Sequence, residues 1–481
     1  MVAFRSLLVC GAAPIRIRVI LTPMNLDARS ASAKLLANWK LLHDPPRVPE
    51  HVSGFWSQLA PMERGAAFEL LTGIIRRRLT LDAILAIVSS RPLTEVDPAV
   101  RAILWIGTYQ LIFTDHVQDY AAIDSSVKIA ANLGVARAGG FINAVLRSVQ
   151  RLNPRRVPQA PVSRQSVPLD LQSAVVFDEK LFPDPVSHFL DYWSAAGSAP
   201  HELVSELMYG LAHEATAKLL VAANQRPPVI CRIDRPTAAA EIPGLHPHKI
   251  SGYARVEGTF SPQLLAAIDR GDLSPQDPTA GLAVRLMLEA ALPHPKSDSP
   301  DRRSPLHILD VCAGKGTKSV QLAMRGCDVT ASDIAPEKLE ILQQRERRIA
   351  TGRIKTVAIE ALSHMPPENF DAVLVDVPCS NTGVLARRPE VRWRLMDLSL
   401  DELTDAQEGL LTRGAALAKD LLVFSTCSVL KAENEDNIRR FLATPNGSHW
   451  RIAREHLTMP TGDPQNWQDG GYVAVLKRIS A

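Results

Sequence analysis

This chain contains two Cys-Ser dipeptides whose cysteines are candidates for a reactive site. Cys379 lies shortly after an apolar run that ends at Asp376, and Cys427 lies shortly after the apolar run 421–425. If both runs are parallel strands of one sheet, their carboxyl ends meet at the edge where such sheets bind ligands. The two thiols are therefore predicted to converge on one crevice, where a thiolate can act as a nucleophile or a metal ligand.

Three simpler roles for these cysteines fit the sequence less well than a shared reactive site. A buried cysteine is often only a small apolar residue, but two of them at strand ends, each before a serine, argue against that role. A disulfide is disfavoured because six cysteines in 481 residues indicate reduced thiols in a cytoplasm. A zinc site lacks the close Cys-x2-Cys or histidine spacing that would support it.

A turn that contains glycines follows an earlier apolar run. Gly314 and Gly316 lack a side chain, which lets a ligand approach the backbone and the N-terminus of the next helix. Asp333 follows nineteen residues after Gly314, where a carboxylate can bind ribose hydroxyls. The spacing predicts a nucleoside cofactor. A turn without a ligand remains open, and so does NAD, although the third glycine of a dinucleotide fingerprint is absent.

The elements that must position these residues alternate along the last third of the chain. Strands are predicted at 307–311, 329–332, 354–359, 370–376 and 421–425, and helices at 318–324, 336–349, 405–417 and 433–442. This alternation is typical of an α/β fold with a doubly wound sheet. A last apolar run, 472–476, is predicted to close the edge of that sheet.

The rest of the chain divides into segments by pattern. Residues 1–23 are interpreted as a misassigned or dispensable extension, because Met24 precedes a helical pattern with Asp27 or Ser30 as its N-cap. The other predicted segments are an all-α domain at 24–153, a linker with seven prolines at 154–200, a small mixed connecting module at 201–272 and the α/β domain at 273–481, with a surface insertion at 293–305.

Composition excludes several classes of protein. Hydrophobic residues make up 46% of the chain and charged residues 22%, which is typical of a globular protein rather than a disordered or fibrous one. No apolar stretch reaches the roughly 18 residues of a membrane span, so no membrane role is predicted. The net charge is only +3, so any nucleic acid must be bound by local basic patches.

Several motifs resemble those of the RNA cytosine-C5 methyltransferases of the RsmB/NOP/Sun family, and the similarity is greatest to the bacterial Fmu/RsmB type. The run 376–384 with 387–393 resembles motif IV, 425–429 with 433–435 resembles motif VI, and 469–473 resembles the C-terminal signature. Residues 109–111, 121–124 and 140–147 resemble the NusB-like domain of those enzymes. Asn224, Pro227, Pro228, Arg232 and 276–277 resemble the region that connects the two domains. The resemblance covers about residues 27–478.

This resemblance implies formation of 5-methylcytosine in small-subunit (16S) rRNA. C5 of cytosine is a poor nucleophile, so a thiolate must first attack C6. The resemblance assigns this attack to Cys427, release of the covalent adduct to Cys379, and a contact with the base near N3 to Asp376. The cysteine roles are reversed in the DNA enzymes, and that assignment stays open.

The resemblance also implies S-adenosylmethionine as the cofactor. It would be held by the turn residues Cys312, Ala313, Gly314, Lys315, Gly316, Thr317 and Lys318, and by Asp333, Glu360 and Asp376. The chain departs from the family in the turn, where Pro-Gly-Gly-Lys becomes Lys-Gly-Thr-Lys, and at Glu360, where Asp is usual. Both departures bear on cofactor affinity.

Basic residues near the motif IV thiol are predicted to bind RNA: Arg387, Arg388, Arg392 and Trp393. The run 76–78 is interpreted either as further positive surface or as a solvated helix face. An unstacked base in a loop is the expected target. The rival functions are the same reaction on tRNA, and an RNA-binding or ribosome-assembly protein that has lost catalysis. No obligate protein partner is inferred.

Overall fold

The computed structural model describes residues 27–39, 44–45, 54–235, 242–258, 260–291 and 305–479. The chain forms two compact units: one extends to Arg226 and also includes Leu385–Leu398, and the other comprises Pro227–Val384 and Ser399–Ala481. The interpretation of residues 1–23 and almost all of the predicted insertion at 293–305 lie outside the described residues. Within the described ranges, no helix is long and apolar enough to cross a membrane.

The first unit begins as a helical domain, as predicted. Its helices are α1 (Ala28–Ala37), α2 (Pro61–Val88), α3 (Pro98–Phe113), α4 (Asp119–Asn132) and α5 (Gly139–Arg151). Asp27 caps α1 as expected, because its carboxylate accepts a hydrogen bond from the Ser30 amide at 2.7 Å. Fully buried side chains, among them Leu71, Ile103 and Leu146, form the core between the helices.

The region predicted as a proline-rich linker is folded. It forms an antiparallel sheet of order β1-β3-β2, with β1 (Arg155–Pro158), β2 (Ser166–Pro168) and β3 (Ser173–Val176), followed by α6 (Phe189–Ala195). Two of its prolines end the outer strands, where a missing N–H disturbs no inner pairing. Helices α7 (His201–Gly210) and α8 (His213–Ala223) also belong to this unit, so the boundary lies at 226 rather than at 200.

The second unit opens with a small antiparallel sheet of order β5-β6-β4-β7. Its elements are β4 (Val229–Ile233), β5 (Leu245–Pro247), β6 (Tyr253–Val256), α9 (Pro262–Asp269) and β7 (Leu273–Pro275), and α10 (Pro278–Ala291) follows. Cys231, Leu264 and Leu273 are buried in its core. The small module of helices and strands that we expected at 201–272 is therefore present, but it begins at 227.

The remainder of the second unit has the predicted α/β fold, built on a seven-stranded sheet of order β10-β9-β8-β11-β12-β14-β13. The elements are β8 (His307–Asp310), α11 (Thr317–Met324), β9 (Asp328–Asp333), α12 (Pro336–Ile349), β10 (Ile354–Ala358), β11 (Phe370–Asp376), α13 (Val391–Arg394, in the first unit), α14 (Leu400–Leu417), β12 (Ala418–Thr426), α15 (Glu435–Leu442), β13 (Trp450–Thr458) and β14 (Gly471–Arg478). Strands β8 to β12 pair in parallel.

The prediction that 472–476 closes the sheet is wrong. Strand β14 lies between β12 and β13, and β13 forms the edge. The sequence of β13 carries two arginines, a glutamate and a histidine, and most of its side chains are exposed. Charged edge strands of this kind prevent pairing between molecules, and their weak apolar pattern hides them from sequence analysis.

Candidate active site

The turn after β8 holds its backbone open toward a ligand. Gly314 and Gly316 have positive φ values of 57° and 81°, which favour glycine. A Cβ on Gly316 would lie 2.1 Å from the Leu342 side chain, whereas a Cβ on Gly314 would meet nothing within 4 Å. Gly316 is therefore needed for packing, and Gly314 leaves an unobstructed face beside the strand ends.

Two carboxylates border this turn. Asp333, at the end of β9, accepts hydrogen bonds from the Gly314 amide at 2.8 Å and the Ala335 amide at 2.9 Å, which fix its orientation. Asp310 is buried, and burial raises its pKa to about 7 although Ser319 donates a hydrogen bond to it. An oriented carboxylate next to an open glycine backbone fits the ribose side of a nucleoside cofactor. Glu360 lies in the turn after β10 and is exposed.

The structure brings the two predicted thiols together. Strands β11 and β12 pair in parallel with Asp376 opposite Ser425, so the loops that follow both strands leave the sheet at the same edge. The sulfurs of Cys379 and Cys427 are 3.1 Å apart.

Asp376 and Lys318 form an ion pair at this edge. The Lys318 Nζ atom lies 2.6 Å from Asp376 Oδ2, and the Ser425 hydroxyl donates to Oδ1 at 2.6 Å. Burial lowers the pKa of Lys318, but the charge and the hydrogen bond of Asp376, together with the other negative charges nearby, outweigh burial, so the pKa is raised. The negative charge of a Cys427 thiolate acts in the same direction, and Lys318 is therefore a fixed positive charge within reach of that sulfur.

Cys379 holds its proton firmly. Its pKa is raised well above the usual value by the hydrogen bond with Cys427, by burial and by the negative charges of Cys427 and Glu433. Asn381 contacts both cysteines: the Cys427 thiol donates to its Oδ1 at 3.1 Å, and its Nδ2 donates to the Cys379 carbonyl at 2.7 Å.

Sequence analysis included Ser380, Ser428 and Glu433 in the motif runs but assigned them no role behind the thiols. Glu433 is completely buried, and its carboxylate accepts hydrogen bonds from the hydroxyls of Ser380 and Ser428, each at 2.5 Å. Gln407 donates to the same carboxylate at 2.9 Å. The signal that could have revealed this cluster is the repeated Cys-Ser dipeptide, since a hydroxyl that follows each thiol needs a partner when it is buried.

The prediction that Arg392 and Trp393 bind RNA is wrong, because both side chains are buried. Arg392 is 1% exposed and donates to the carbonyls of Arg76, Ser198 and Ala223 and to the Asn224 side chain at 2.8–3.0 Å. Trp393 is fully buried. Both side chains stabilise the first unit, to which α13 belongs.

The arginines of α2 are also structural. Arg76 donates to the Ala386 carbonyl and Arg77 to the Pro168 carbonyl, and Arg78 pairs with Asp82 at 2.7 Å. All three are buried, so neither a positive RNA-binding surface nor a solvated helix face describes them. The acceptors of Arg76 and Arg77 lie far away in the sequence, which explains why the run alone gave no sign of burial.

Arg387 and Arg388 keep the exposure that an RNA contact requires. Arg387 is half-buried, and Arg388 is exposed and pairs with Glu390 at 3.2 Å. Their part in RNA binding stays a prediction.

Comparison with known families decides the class of the two domains. Residues 300–473 match the family model of the 16S rRNA methyltransferase RsmB/F, and residues 26–151 match that of the NusB family. The chain therefore has one region that matches the NusB family and another that matches the RsmB/F methyltransferase family. S-adenosylmethionine is the cofactor of this methyltransferase family, in agreement with the open turn at Gly314, and NAD is no longer an alternative.

Known proteins resemble the chain over most of its length. It is 27% identical to the probable ribosomal RNA small subunit methyltransferase B of Synechocystis, over 87% of this chain and 92% of the relative. It is 27% identical to ribosomal RNA small subunit methyltransferase B of Salmonella paratyphi B, over 81% and 85% of the two chains. The crystal structure of PH0851 shares the fold, with a TM-score of 0.64 and 17% identity over 95% of this chain and 100% of the other.

Proposed function

We propose that this protein methylates C5 of a cytosine in small-subunit rRNA through a covalent adduct on Cys427. The observation that carries the proposal is the 3.1 Å approach of Cys427 to Cys379 beside the Asp376–Lys318 ion pair. Two thiols and an acid at one sheet edge suit a reaction in which a base is first attacked and then released.

The attack step uses Cys427, Lys318 and Asp376. The Cys427 sulfur forms a bond with C6, and electron density moves toward C5 and the N3 side of the ring. Asp376 is 30% exposed at its side chain and can contact the base near N3. Lys318 favours the thiolate through its charge. S-adenosylmethionine, when bound, supplies the methyl group.

Release of the product needs a group beside the new bond. The C5 proton must leave, its electron pair must restore the C5–C6 double bond, and the bond between C6 and the Cys427 sulfur must break. Cys379 is placed to assist, because its sulfur lies beside that of Cys427. Its raised pKa keeps Cys379 protonated, so its thiol can give this proton to the Cys427 sulfur as the C6–S bond breaks, and the Cys379 thiolate so formed can accept the C5 proton.

The RNA class is proposed from the family. The matching family model and the curated relatives carry names that refer to small-subunit rRNA. The base must be unstacked before a thiol can reach C6, which is easiest in a single-stranded loop. No contact in the described residues favours tRNA. Cytoplasmic localisation stays a prediction that follows from such a substrate.

The test is transfer of labelled methyl groups from S-adenosylmethionine to unmodified small-subunit rRNA. We expect the intact protein to label cytosine C5, Cys427→Ala to be inactive, and Cys379→Ala to accumulate a protein–RNA adduct. Cys327→Ala, which removes a buried thiol from the core, is the matched control and should remain active. An adduct that accumulates in Cys427→Ala instead would exchange the roles of the two thiols. A folded protein that binds RNA but labels neither rRNA nor tRNA would favour the RNA-binding alternative.

A further inference from the structure

A buried carboxylate connects the two loops that carry the thiols. Ser380 follows Cys379 and Ser428 follows Cys427, and the hydroxyls of both serines donate to the same atom, Glu433 Oε2, at 2.5 Å. We call Ser380, Ser428 and Glu433 the Ser-Glu cluster. The other carboxylate oxygen of Glu433, Oε1, accepts hydrogen bonds from the Ser380 amide and from the Gln407 side chain, both at 2.9 Å.

A glutamate is well suited to this place because a carboxylate only accepts hydrogen bonds. Four donors point at its two oxygens, and a carboxylate can accept all four. Burying a charge is costly unless such hydrogen bonds compensate for the lost water. Glu433 is completely buried, and none of these four donors is a cation. The cost of burying its charge therefore indicates that the carboxylate is needed to hold the four donors in place.

The Ser-Glu cluster lies directly next to both thiols, where it can set the distance between them. Cys379 lies on the loop after β11 and Cys427 on the loop after β12, and each thiol is one residue from a serine held by Glu433. The loops also meet through the Gly383 amide, which donates to the Cys427 carbonyl at 2.9 Å. That contact holds the backbone of Cys427, whereas Glu433 holds the serines that follow both cysteines.

We propose that Glu433 is a positioning residue that ties the two Cys-Ser segments together and so sets the distance between the Cys379 and Cys427 sulfurs. This role rests on the proposed function for its catalytic meaning. The negative charge of Glu433 also acts on Cys379 and favours its protonated form, while the positive charge of Lys318 lies near Cys427.

The first measurement follows the distance between the thiols without using methyl transfer. In a buffer of oxidised and reduced glutathione, the two thiols and one glutathione disulfide give a protein disulfide and two glutathione thiols. The equilibrium constant reports the effective concentration of one thiol at the other, and peptide mass spectrometry identifies the Cys379–Cys427 pair. We expect Glu433→Gln to lower this constant about tenfold, because its amide NH2 would face the donors that now meet a carboxylate oxygen.

The second measurement is steady-state methyl transfer. We expect Glu433→Gln to lower kcat about 10- to 100-fold, since a small displacement of a reacting group has effects of this size. KM for S-adenosylmethionine should change less than about twofold, because none of the hydrogen bonds of the cluster described above involves the turn at Gly314. Ser380→Ala should lower kcat in the otherwise unchanged protein and add little in Glu433→Gln, because the two changes break the same hydrogen bond.

Asp234→Asn is the matched control, since it alters another buried acid of the second unit, which pairs with Arg232. It should lower thermal stability but leave the disulfide equilibrium unchanged. The milder Ser428→Ala replaces Glu433→Gln if the latter does not fold.

The role would be overturned if a folded Glu433→Gln kept both the disulfide equilibrium and kcat, or if Asp234→Asn changed them equally. An intact protein without methyl transfer would refute the proposed function, and the disulfide equilibrium would still test the cluster.

Discussion

Buried charges serve different purposes in the two units. In the first unit, Arg76, Arg77 and Arg392 donate to main-chain carbonyls inside the fold. In the second, Lys318 and Asp376 pair with each other next to two thiols at the edge of a sheet. Both regions combine charged residues with apolar surroundings; the sequence predicted a functional role for Arg392, Lys318 and Asp376, and left the run 76–78 open between an RNA-binding surface and a solvated helix face.

The difference teaches that the partners of a charge decide its role. A guanidinium keeps its charge at neutral pH and carries five donors, so it can join several carbonyls from distant segments. A pair between a lysine near a helix N-terminus and an aspartate at a strand end lies at the edge where such sheets bind ligands, so its charges can act on a reacting group. Four predictions test this contrast, from the largest expected effect to the smallest.

Arg392→Met should destabilise the protein most, by about 3–5 kcal/mol, because it leaves four buried acceptors without their donor. Thermal or chemical unfolding measures this loss. Arg388→Met changes an exposed arginine of the same segment and should alter stability by less than about 0.5 kcal/mol. If Arg392→Met instead spares stability and reduces the salt dependence of RNA binding, the structural role of Arg392 is wrong.

Lys318→Met should lower kcat about 100-fold, equivalent to about 2.7 kcal/mol, since it removes the positive charge beside Cys427 and leaves Asp376 without its partner. Single-turnover methyl transfer with saturating S-adenosylmethionine measures the effect. Lys419→Met removes an exposed lysine that pairs with Asp371 and serves as the control. Equal rates for the two variants would contradict an electrostatic role for Lys318.

Asp310→Asn should change how stability depends on pH. The pKa of Asp310 is raised from 3.8 to about 7, so the folded state binds this proton more tightly than the unfolded state between about pH 4 and 7. Its contribution to stability therefore falls as pH rises through that range, by at most about 1.4 kcal/mol per pH unit. Unfolding at pH 5, 6 and 7 should show a shallower decline in Asp310→Asn, and parallel curves would refute this assignment.

Asp333→Asn should have the smallest effect, a roughly tenfold weaker binding of S-adenosylmethionine, because an amide replaces a charged acceptor for the ribose hydroxyls. Calorimetric titration measures it, and KM for rRNA should not change. Asp328→Asn, at the opposite end of β9, is the control. Unchanged affinity in Asp333→Asn would place the ribose elsewhere.

The sequence by itself determined the fold class of each domain and the succession of parallel strands after which the motifs lie. Local apolar patterns and glycine turns fix β8 to β12 and the helices between them, because these features depend on neighbouring residues. The polar edge strand β13 was not visible, because it carries no apolar period. The folded region at 154–200 was hidden by prolines that end its strands.

Only the tertiary structure decided which charged residues meet one another. The acceptors of Arg392 lie 168 to 316 positions away in the chain, and the donors to Glu433 come from two loops and a helix. No local pattern encodes such pairs, since burial of a charge is compensated by whichever distant groups the fold brings within hydrogen-bond distance. For the same reason the sequence identified Cys379 and Cys427 as candidates, and the parallel pairing of β11 with β12 placed their sulfurs in contact.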